Sequence, residues 1–275
     1  MYFFGKSDIG RKRATNQDNF RTVRLCDNCC LCVVCDGMGG ASGGNIASEI
    51  AVKFFTDHVR RAFDRIPVRD GQAAIDPDAD RDTVASLLRA AADKANAAVW
   101  SRSLEDRGLA GMGTTLIAAL IVGNALFILN VGDSRLYQIT ESAIRQLTRD
   151  HSYLQYLLDS GQLSPEQAQD APIRNIITRS LGTEETVQSD IYLTHLSGSG
   201  FILLCSDGLS SYVDEEEIAD TVNAPCIINE VTDNDYELED KVERLIEMAN
   251  ECGGSDNITV ILLKYTSEDT EERES

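Results

Sequence analysis

The stretch Cys32-Val33-Val34-Cys35-Asp36-Gly37-Met38-Gly39-Gly40 determines how the rest of the chain can be interpreted. Its apolar half is typical of a short strand buried on both faces, and a carboxylate and several glycines follow it. Such a strand would hold Asp36 in a fixed place, and Gly37 would let its own carbonyl oxygen approach the same point. We therefore predict that both bind a metal ion, although a core strand ending in an ordinary glycine turn would give the same pattern.

Composition narrows the class of protein. The chain has 275 residues, of which 43% are hydrophobic, which is enough for a sizeable core. It has no apolar run near the roughly 20 residues that cross a bilayer, and its N-terminus lacks the apolar segment of a signal peptide. We therefore expect a soluble, cytoplasmic protein that does not bind membranes. A formal net charge of −20 disfavours nucleic-acid binding and favours cations.

The eight cysteines stand at positions 26, 29, 30, 32, 35, 205, 226 and 252. In a cytoplasmic chain they are expected to be reduced. The repeated C-x-x-C spacing from Cys26 to Cys35 would suit structural zinc. However, Asp27-Asn28 is typical of a hairpin turn, and the cysteines after it fall in the apolar strand. Small core residues are therefore the favoured interpretation.

Periodicity predicts an α+β fold. A first strand is expected within the first ten residues, before a turn at Asp8-Ile9-Gly10. Further strands are expected near 19–26, 29–35, 115–122, 125–131, 135–139, 188–194, 200–205 and 258–265, and helices near 42–62, 84–99, 153–158, 165–168, 215–222 and 237–250. The strands from 115 to 139 have connections too short for helical crossovers, so we expect them to be antiparallel neighbours. Residues 64–80 are predicted to be a surface loop and 150–180 a functional lid. We predict one domain over 1–265 and a disordered acidic tail over 266–275.

Four aspartates share one signature, because each lies beside a predicted strand end and next to glycine or a small polar residue. They are Asp36, Asp133, Asp207 and Asp256, and Asp18 at the start of a strand is a fifth candidate. Carboxylates without histidine select hard cations, which favours Mg²⁺ or Mn²⁺ over zinc or copper. His58, His151 and His195 have no i,i+4 histidine partner and are expected to be surface or capping residues.

A carboxylate site of this kind has an evident chemistry. Two cations bridged by one carboxylate can hold and deprotonate a water for attack on phosphorus or a carbonyl carbon. Arg13 lies five residues before Asp18 and could offer a bidentate fork to phosphate oxygens. The alternative is a salt bridge between Arg13 and Asp18.

Seven motifs follow one another along the chain: Arg13-Ala14-Thr15-Asn16-Gln17-Asp18, Val34-Cys35-Asp36-Gly37-Met38-Gly39-Gly40, Gly113-Thr114-Thr115, Val131-Gly132-Asp133-Ser134-Arg135, Leu147-Thr148-Arg149-Asp150-His151-Ser152, Ser206-Asp207-Gly208-Leu209 and Ser255-Asp256-Asn257-Ile258-Thr259. In order and spacing, from near residue 5 to about 265, they resemble the motifs of the metal-dependent 2C-type serine/threonine protein phosphatases in their bacterial form.

This resemblance implies two packed antiparallel sheets flanked by helix pairs, an αββα sandwich, with a dinuclear Mn²⁺/Mg²⁺ centre. By motif match, Asp36 would bridge both metals, the Gly37 carbonyl would bind one, and Asp207 and Asp256 would complete the other. Asp18 would act in or just behind this ligand set. Asp133, together with Asp207, would bind a third, weaker metal. Arg13 would hold the phosphoryl group, and 150–180 would be the variable flap.

Two positions depart from the family pattern. Met38 stands where many eukaryotic relatives have a histidine proposed as the general acid, and methionine cannot donate a proton. Gln17 stands where many members have glutamate. Protonation of the leaving alcohol is therefore expected to come from a metal-bound water or another group.

The resemblance implies hydrolysis of phosphoserine and phosphothreonine by direct attack of metal-activated water, without a phospho-enzyme. The substrates would be phosphoproteins produced by a serine/threonine kinase, and we expect a monomer that acts in signalling. Two alternatives stay open: a non-catalytic phosphatase-like module that binds a phosphoprotein, and a hydrolase of small phosphorylated metabolites or nucleotides.

Overall fold

The computed structural model of the protein describes residues 1–164, 167, 176–225 and 234–266. The strands are β1 (Tyr2–Asp8), β2 (Asp18–Cys26), β3 (Cys29–Met38), β4 (Val68–Arg69), β5 (Gln72–Ala73), β6 (Gly113–Thr114), β7 (Leu116–Val122), β8 (Ala125–Val131), β9 (Arg135–Ile139), β10 (Ile144–Gln146), β11 (Asp190–His195), β12 (Ser199–Cys205) and β13 (Ile258–Thr266). The helices are α1 (Gly40–Phe63), α2 (Arg81–Glu105), α3 (Tyr153–Asp159), α4 (Asp207–Ser210), α5 (Glu215–Asn223) and α6 (Asn234–Glu251), with a 3₁₀ turn at Arg107–Leu109. Apart from residue 167, the helix predicted at 165–168 lies outside the described residues, as do Cys226 and the tail beyond Thr266.

Two antiparallel sheets form the centre of the molecule. Sheet I has the strand order β1-β13-β12-β9-β10, and sheet II has the order β11-β8-β7-β3-β2, with β6 paired to β3. The long hairpin β2–β3 turns at Asp27-Asn28, as predicted. The short hairpin β4–β5 lies inside the segment predicted to be a plain loop.

Three apolar layers separate the sheets and helices. One lies between sheet II and the pair α1 and α2, one between the two sheets, and one between sheet I and the pair α5 and α6. Alternate residues of β3 serve two of these layers: Leu31 and Val33 lie in the α1/α2 layer, whereas Cys32 and Val34 lie between the sheets. The predicted α+β fold of four layers, helix pair, sheet, sheet and helix pair, is confirmed.

The cysteines of β3 are core residues. Cys29, Cys30, Cys32 and Cys35 are each 1% exposed or less, and they carry free thiols. Their side chains alternate between the two apolar layers that β3 serves, so they do not converge on a common point. The interpretation of these cysteines as small core residues is confirmed.

One prediction about strand neighbours is wrong. β7 and β8 pair as expected, but β9 follows β8 after only three residues and lies in the other sheet. A connection too short for a helical crossover can still step between packed sheets, because the sheets lie about 10 Å apart and three extended residues span roughly that distance. Gly132 makes this step with a φ of 109°. The crossover is important for the site because it contains Asp133.

The helices are amphipathic and pack as pairs. The buried stripe of α2 includes Ala91, Ala92 and Ala95, whose small side chains allow α1 to approach closely. Across 1–164, 176–225 and 234–266, none of the helices combines the length and apolarity that a membrane span needs.

Candidate metal centre

Asp36 lies two residues before the end of β3, not at the end as predicted. It pairs with Asp18 of β2, whereas the next residue, Gly37, leaves β2 and pairs with Thr114 of β6. The strand therefore continues to Met38 by changing its partner. The cross-strand pairing brings the first two candidate aspartates side by side.

Two threonines of the Gly113-Thr114-Thr115 motif hold the backbone of Asp36. The Asp36 amide donates to Thr115 Oγ1 over 2.9 Å, and the Asp36 carbonyl accepts from the Thr115 amide and Thr114 Oγ1, both over 2.8 Å. Thr115 Oγ1 also lies 2.8 Å from Ser134 Oγ in the crossover. This chain of hydrogen bonds ties Asp36 to the segment that contains Asp133.

Gly37 occupies a place that no other residue could fill. A Cβ atom on Gly37 would lie 2.1 Å from the Gly44 carbonyl oxygen and 2.6 Å from the Gln17 carbonyl oxygen. The Gly37 amide donates to that same Gln17 carbonyl over 3.2 Å. The first turn of α1 and the loop before β2 can therefore close around Asp36 only because residue 37 has no side chain.

Asp18 links the two sheets. Its Oδ2 accepts from Ser206 Oγ over 2.8 Å and from Thr259 Oγ1 over 2.7 Å, and both hydroxyls belong to sheet I or its ends. Its other carboxylate oxygen, Oδ1, is buried and has no hydrogen-bond partner. Oδ2 is therefore held in place by two hydroxyls, whereas Oδ1 is available to bind a cation.

Asp207 and Asp256 come from neighbouring strands of sheet I. Asp207 is the first residue of α4 and is separated from β12 by Ser206 alone, and Asp256 stands two residues before β13. Asp207 Oδ1 is buried without a partner. Asp256 Oδ1 accepts from the Asn257 amide over 2.9 Å.

Asn257 organises the loop between β1 and β2. Its Oδ1 accepts from the Gln17 amide over 2.8 Å, and its Nδ2 donates to the carbonyls of Ile9 and Thr15 over 3.0 and 3.1 Å. The loop that contains Arg13 is thereby fastened to the segment that contains Asp256.

Asp133 lies in the crossover and is 8% exposed, and its Oδ1 has no partner. A Cβ atom on the preceding Gly132 would lie 2.6 Å from Thr115 Cγ2. On the other side, Arg135 forms a bidentate ion pair with Asp150, with bonds of 3.0 and 2.8 Å to Oδ2. The crossover is therefore held on both sides of Asp133.

The candidate aspartates repel one another electrostatically. Burial, followed by the charges of Asp18 and Asp207, raises the pKa of Asp36 well above its usual range. Burial and the charges of neighbouring carboxylates also raise the pKa of Asp18 to about 7, of Asp133 to about 7 and of Asp207 to about 6. Asp18, Asp36, Asp133 and Asp207 therefore resist being ionised together unless cations lie among them.

Arg13 lies at the open side of the cluster. Its Nη2 donates to Asp256 Oδ2 over 2.7 Å, and its side chain is 51% exposed. The salt bridge considered from the sequence therefore exists, but its partner is Asp256 instead of Asp18. An ion pair this exposed contributes little to stability, so Arg13 can exchange Asp256 for another anion at small cost.

The donor set suits hard cations. Unpartnered, buried carboxylate oxygens on Asp18, Asp133 and Asp207 are the kind of ligand that Mn²⁺ and Mg²⁺ prefer. In the part of the chain that the structure describes, no three His, Cys, Asp or Glu side chains already enclose a point where an ion could bind. The unpartnered oxygens still favour a metal site, because burying a carboxylate oxygen without a partner is costly. The lack of a preformed ligand group counts for less, because carboxylate side chains rotate easily. Metal binding therefore requires side chains to turn toward a shared ion.

Several residues of the site were missed by sequence reasoning. They are Thr115, Ser206, Asn257 and Thr259, which bind the aspartates or their backbones, and Ser134, which bonds to Thr115. All five lie within the motifs quoted above, and all but Thr115 share their motif with an aspartate, which was the available signal. His151 was also misjudged, because it is 7% exposed and not a surface residue.

Comparisons with known proteins agree with this geometry. Residues 5–262 match the family model described as protein phosphatase 2C. The chain is 34% identical over 259 residues to the serine/threonine phosphatase stp of Listeria monocytogenes, covering 94% of each chain. It is 36% identical over 270 residues to the protein phosphatase PhpP of Streptococcus pneumoniae, covering 96% of this chain and 98% of the relative.

A solved structure adds a metal-bound relative. The catalytic domain of the serine/threonine protein phosphatase PstP, in complex with two manganese ions, is 30% identical and has a TM-score of 0.76. The match covers 97% of this chain and 98% of that one. By these matches and by its fold, the chain belongs to the protein phosphatase 2C family of serine/threonine phosphatases.

Proposed function

We propose that this phosphatase hydrolyses phosphoserine and phosphothreonine in proteins at a dinuclear Mn²⁺ or Mg²⁺ centre built by the aspartate cluster. The observation that carries the proposal is the set of buried, mutually repelling carboxylates with unpartnered oxygens where the two sheets meet. The manganese-bound relative supports the choice of metal.

The proposed ligands have separate tasks. Asp36, whose backbone the two threonines fix, would bind both ions, and the Gly37 carbonyl would bind one of them. Asp207 and Asp256 would bind the other ion, and Asp18 would support them through its hydrogen bonds to Ser206 and Thr259. Asp133 and Asp207 would together hold a third ion more weakly. When bound, the ions supply a water activated for direct attack on phosphorus.

Arg13 is proposed to bind the phosphoryl oxygens. Its guanidinium is exposed at the edge of the cluster and can form two parallel hydrogen bonds to a phosphate. Asp256 is both the partner of Arg13 and a proposed metal ligand. If a metal ion took up Asp256 Oδ2, Arg13 would be free to bind the substrate.

Met38 cannot protonate the leaving alcohol. It lies beside the cluster on β3 and has no proton to give. The leaving alcohol must take its proton from another donor at the site, which is the expectation from the sequence. The kinase that supplies the substrates, the monomeric state and the cytoplasmic location remain predictions, as does the catalytic domain boundary at residue 265.

The proposal is tested with a phosphothreonine peptide and p-nitrophenyl phosphate at matched concentrations. We expect hydrolysis of both with Mn²⁺, a preference for the peptide in kcat/KM, loss of activity with EDTA, and loss with Asp36→Asn. Asp82→Asn, which changes an exposed carboxylate on α2, is the matched control and should stay active.

Two results would contradict the proposal. Hydrolysis that survives both EDTA and Asp36→Asn would exclude the metal mechanism. Folded protein that binds the phosphopeptide without metal-dependent turnover would support the non-catalytic alternative, and a preference for the small ester would support the metabolite hydrolase.

A further inference from the structure

His151 occupies an unusual position beside the crossover. It is 7% exposed, follows the ion-paired Asp150 and stands at the start of the flap segment, residues 150–180. Its backbone and its ring contact different parts of the site, and the proposed chemistry gives it no task.

Two hydrogen bonds join His151 to Gly132, in opposite directions. The His151 amide donates to the Gly132 carbonyl over 2.9 Å, and the Gly132 amide donates to His151 Nδ1 over 3.1 Å. Asn130 Nδ2 adds a longer bond of 3.4 Å to the same carbonyl. The residue directly before Asp133 is therefore clamped at both of its polar backbone atoms.

The other side of the ring contacts Asp190, the first residue of β11, and lies 3.2 Å from Arg179 Nη1, near the far end of the flap segment. His151 Nε2 lies 3.1 Å from Asp190 Oδ2, and Arg179 donates to Asp190 Oδ1 over 2.9 Å. The His151 carbonyl accepts from the Thr178 amide over 2.8 Å. Since Nδ1 accepts from Gly132, the ring proton is on Nε2, which donates to Asp190.

The position of the Asp133 carboxylate depends on the backbone of this turn. Asp133 Oδ1 has no hydrogen-bond partner that would fix it from another segment, so the place of the carboxylate follows the place of the Gly132-Asp133 backbone. Gly132 packs so closely against Thr115 that a Cβ on residue 132 would clash with it, and its amide is hydrogen-bonded to His151. Loss of the ring would free the side of the turn that faces the flap.

We propose that His151 is a positioning residue that fastens the Gly132-Asp133 turn to Thr178, Arg179 and Asp190, and so holds Asp133 where it can bind a metal ion. The proposal rests on the function proposed above for Asp133. The ring acts through Gly132, and it touches neither the substrate nor a metal ligand.

Three variants separate the two sides of the ring. His151→Asn keeps an acceptor near the Nδ1 position, His151→Gln places a donor near the Nε2 position, and His151→Ala removes both. We measure hydrogen exchange of the Gly132 amide by NMR in metal-free protein. We also measure kcat, KM and the Mn²⁺ concentration for half-maximal activity with the phosphopeptide.

We expect the Gly132 amide to exchange about tenfold faster in the Ala and Gln variants, and at a nearly unchanged rate in the Asn variant. The half-activating Mn²⁺ concentration should rise about tenfold in the Ala and Gln variants, with a fall in kcat and an unchanged KM, because supporting residues of metal ligands have effects of this size. Val222→Ala, which opens a cavity under α5, is the control and should lower the melting temperature without moving the Mn²⁺ curve.

Results of two kinds would overturn the inference. One is a Gly132 exchange rate and a Mn²⁺ curve unchanged in His151→Ala. The other, decisive even if the Ala variant does not fold, is an Asn variant no better protected than the Gln variant. A wild-type protein without Mn²⁺-dependent turnover would instead contradict the proposed function, and the exchange measurement would still decide whether the clamp exists.

Discussion

Removing one buried hydroxyl should damage the site without changing its shape. Thr115→Val deletes the Oγ1 atom that accepts from the Asp36 amide and bonds to Ser134 Oγ, and Thr115 and Ser134 are both 0% exposed. The Asp36 amide and Ser134 Oγ would each lose this partner, at a cost of about 1–3 kcal/mol per group, so we expect a total loss of about 2–6 kcal/mol in the free energy of unfolding. This corresponds to a fall of about 4–10 °C in the melting temperature. Activity should fall through kcat, because the Asp36 backbone loses one of its anchors.

The chain offers a matched control for this substitution. Thr56 on α1 is 2% exposed, and its Oγ1 is buried without a hydrogen-bond partner. Thr56→Val should therefore be neutral or stabilise the protein by about 1 kcal/mol. The two variants are compared by urea unfolding in EDTA and by phosphopeptide hydrolysis in Mn²⁺. Equal stability and equal kcat in the two variants would show that the Thr115 hydroxyl does not anchor Asp36.

Two further predictions concern Gly37 and Asp18. Gly37→Ala should lower the free energy of unfolding by about 1–3 kcal/mol or more and abolish activity, because its Cβ would lie 2.1 Å from the Gly44 carbonyl oxygen. Gly108→Ala is the control and should have a mild effect, because the nearest atom to its Cβ would be 3.2 Å away. A fully active Gly37→Ala variant would contradict the packing argument. Burial and then neighbouring charges raise the pKa of Asp18 to about 7. Metal-free wild-type protein should therefore lose stability as the pH rises from about 4 to 7, by up to roughly 4 kcal/mol relative to Asp18→Asn. A stability difference between the two proteins that stays constant over this pH range would refute the raised pKa.

Local patterns predicted the elements well because each pattern reflects local physics. The apolar run before Asp36 predicted a strand, and Asp27-Asn28 predicted its turn, so the β2–β3 hairpin could be expected from the sequence. The candidate aspartates were recognisable because each stands beside glycine or a small polar residue near a strand end. The structure brings all five into one electrostatic cluster.

The arrangement of strands could not be read in the same way. Three residues between β8 and β9 suit a hairpin and also suit a step between packed sheets, and only the global packing decides between them. The environment of His151 was missed for the same reason, because its partners Gly132, Arg179 and Asp190 come from three separate segments. Arg13 was predicted to lie at the site, and the structure pairs it with Asp256, 243 residues away in the sequence and not the partner that the sequence suggested.

The central claim is that the aspartate cluster binds two metal ions that Asp36 holds together. The direct measurement is calorimetric titration of metal-free protein with MnCl₂, for the wild type and for Asp36→Asn. We predict two tightly bound ions for the wild type and loss of this two-ion binding in the folded variant. A wild-type protein that binds no Mn²⁺, or an Asp36→Asn variant that binds two ions as the wild type does, would contradict the account.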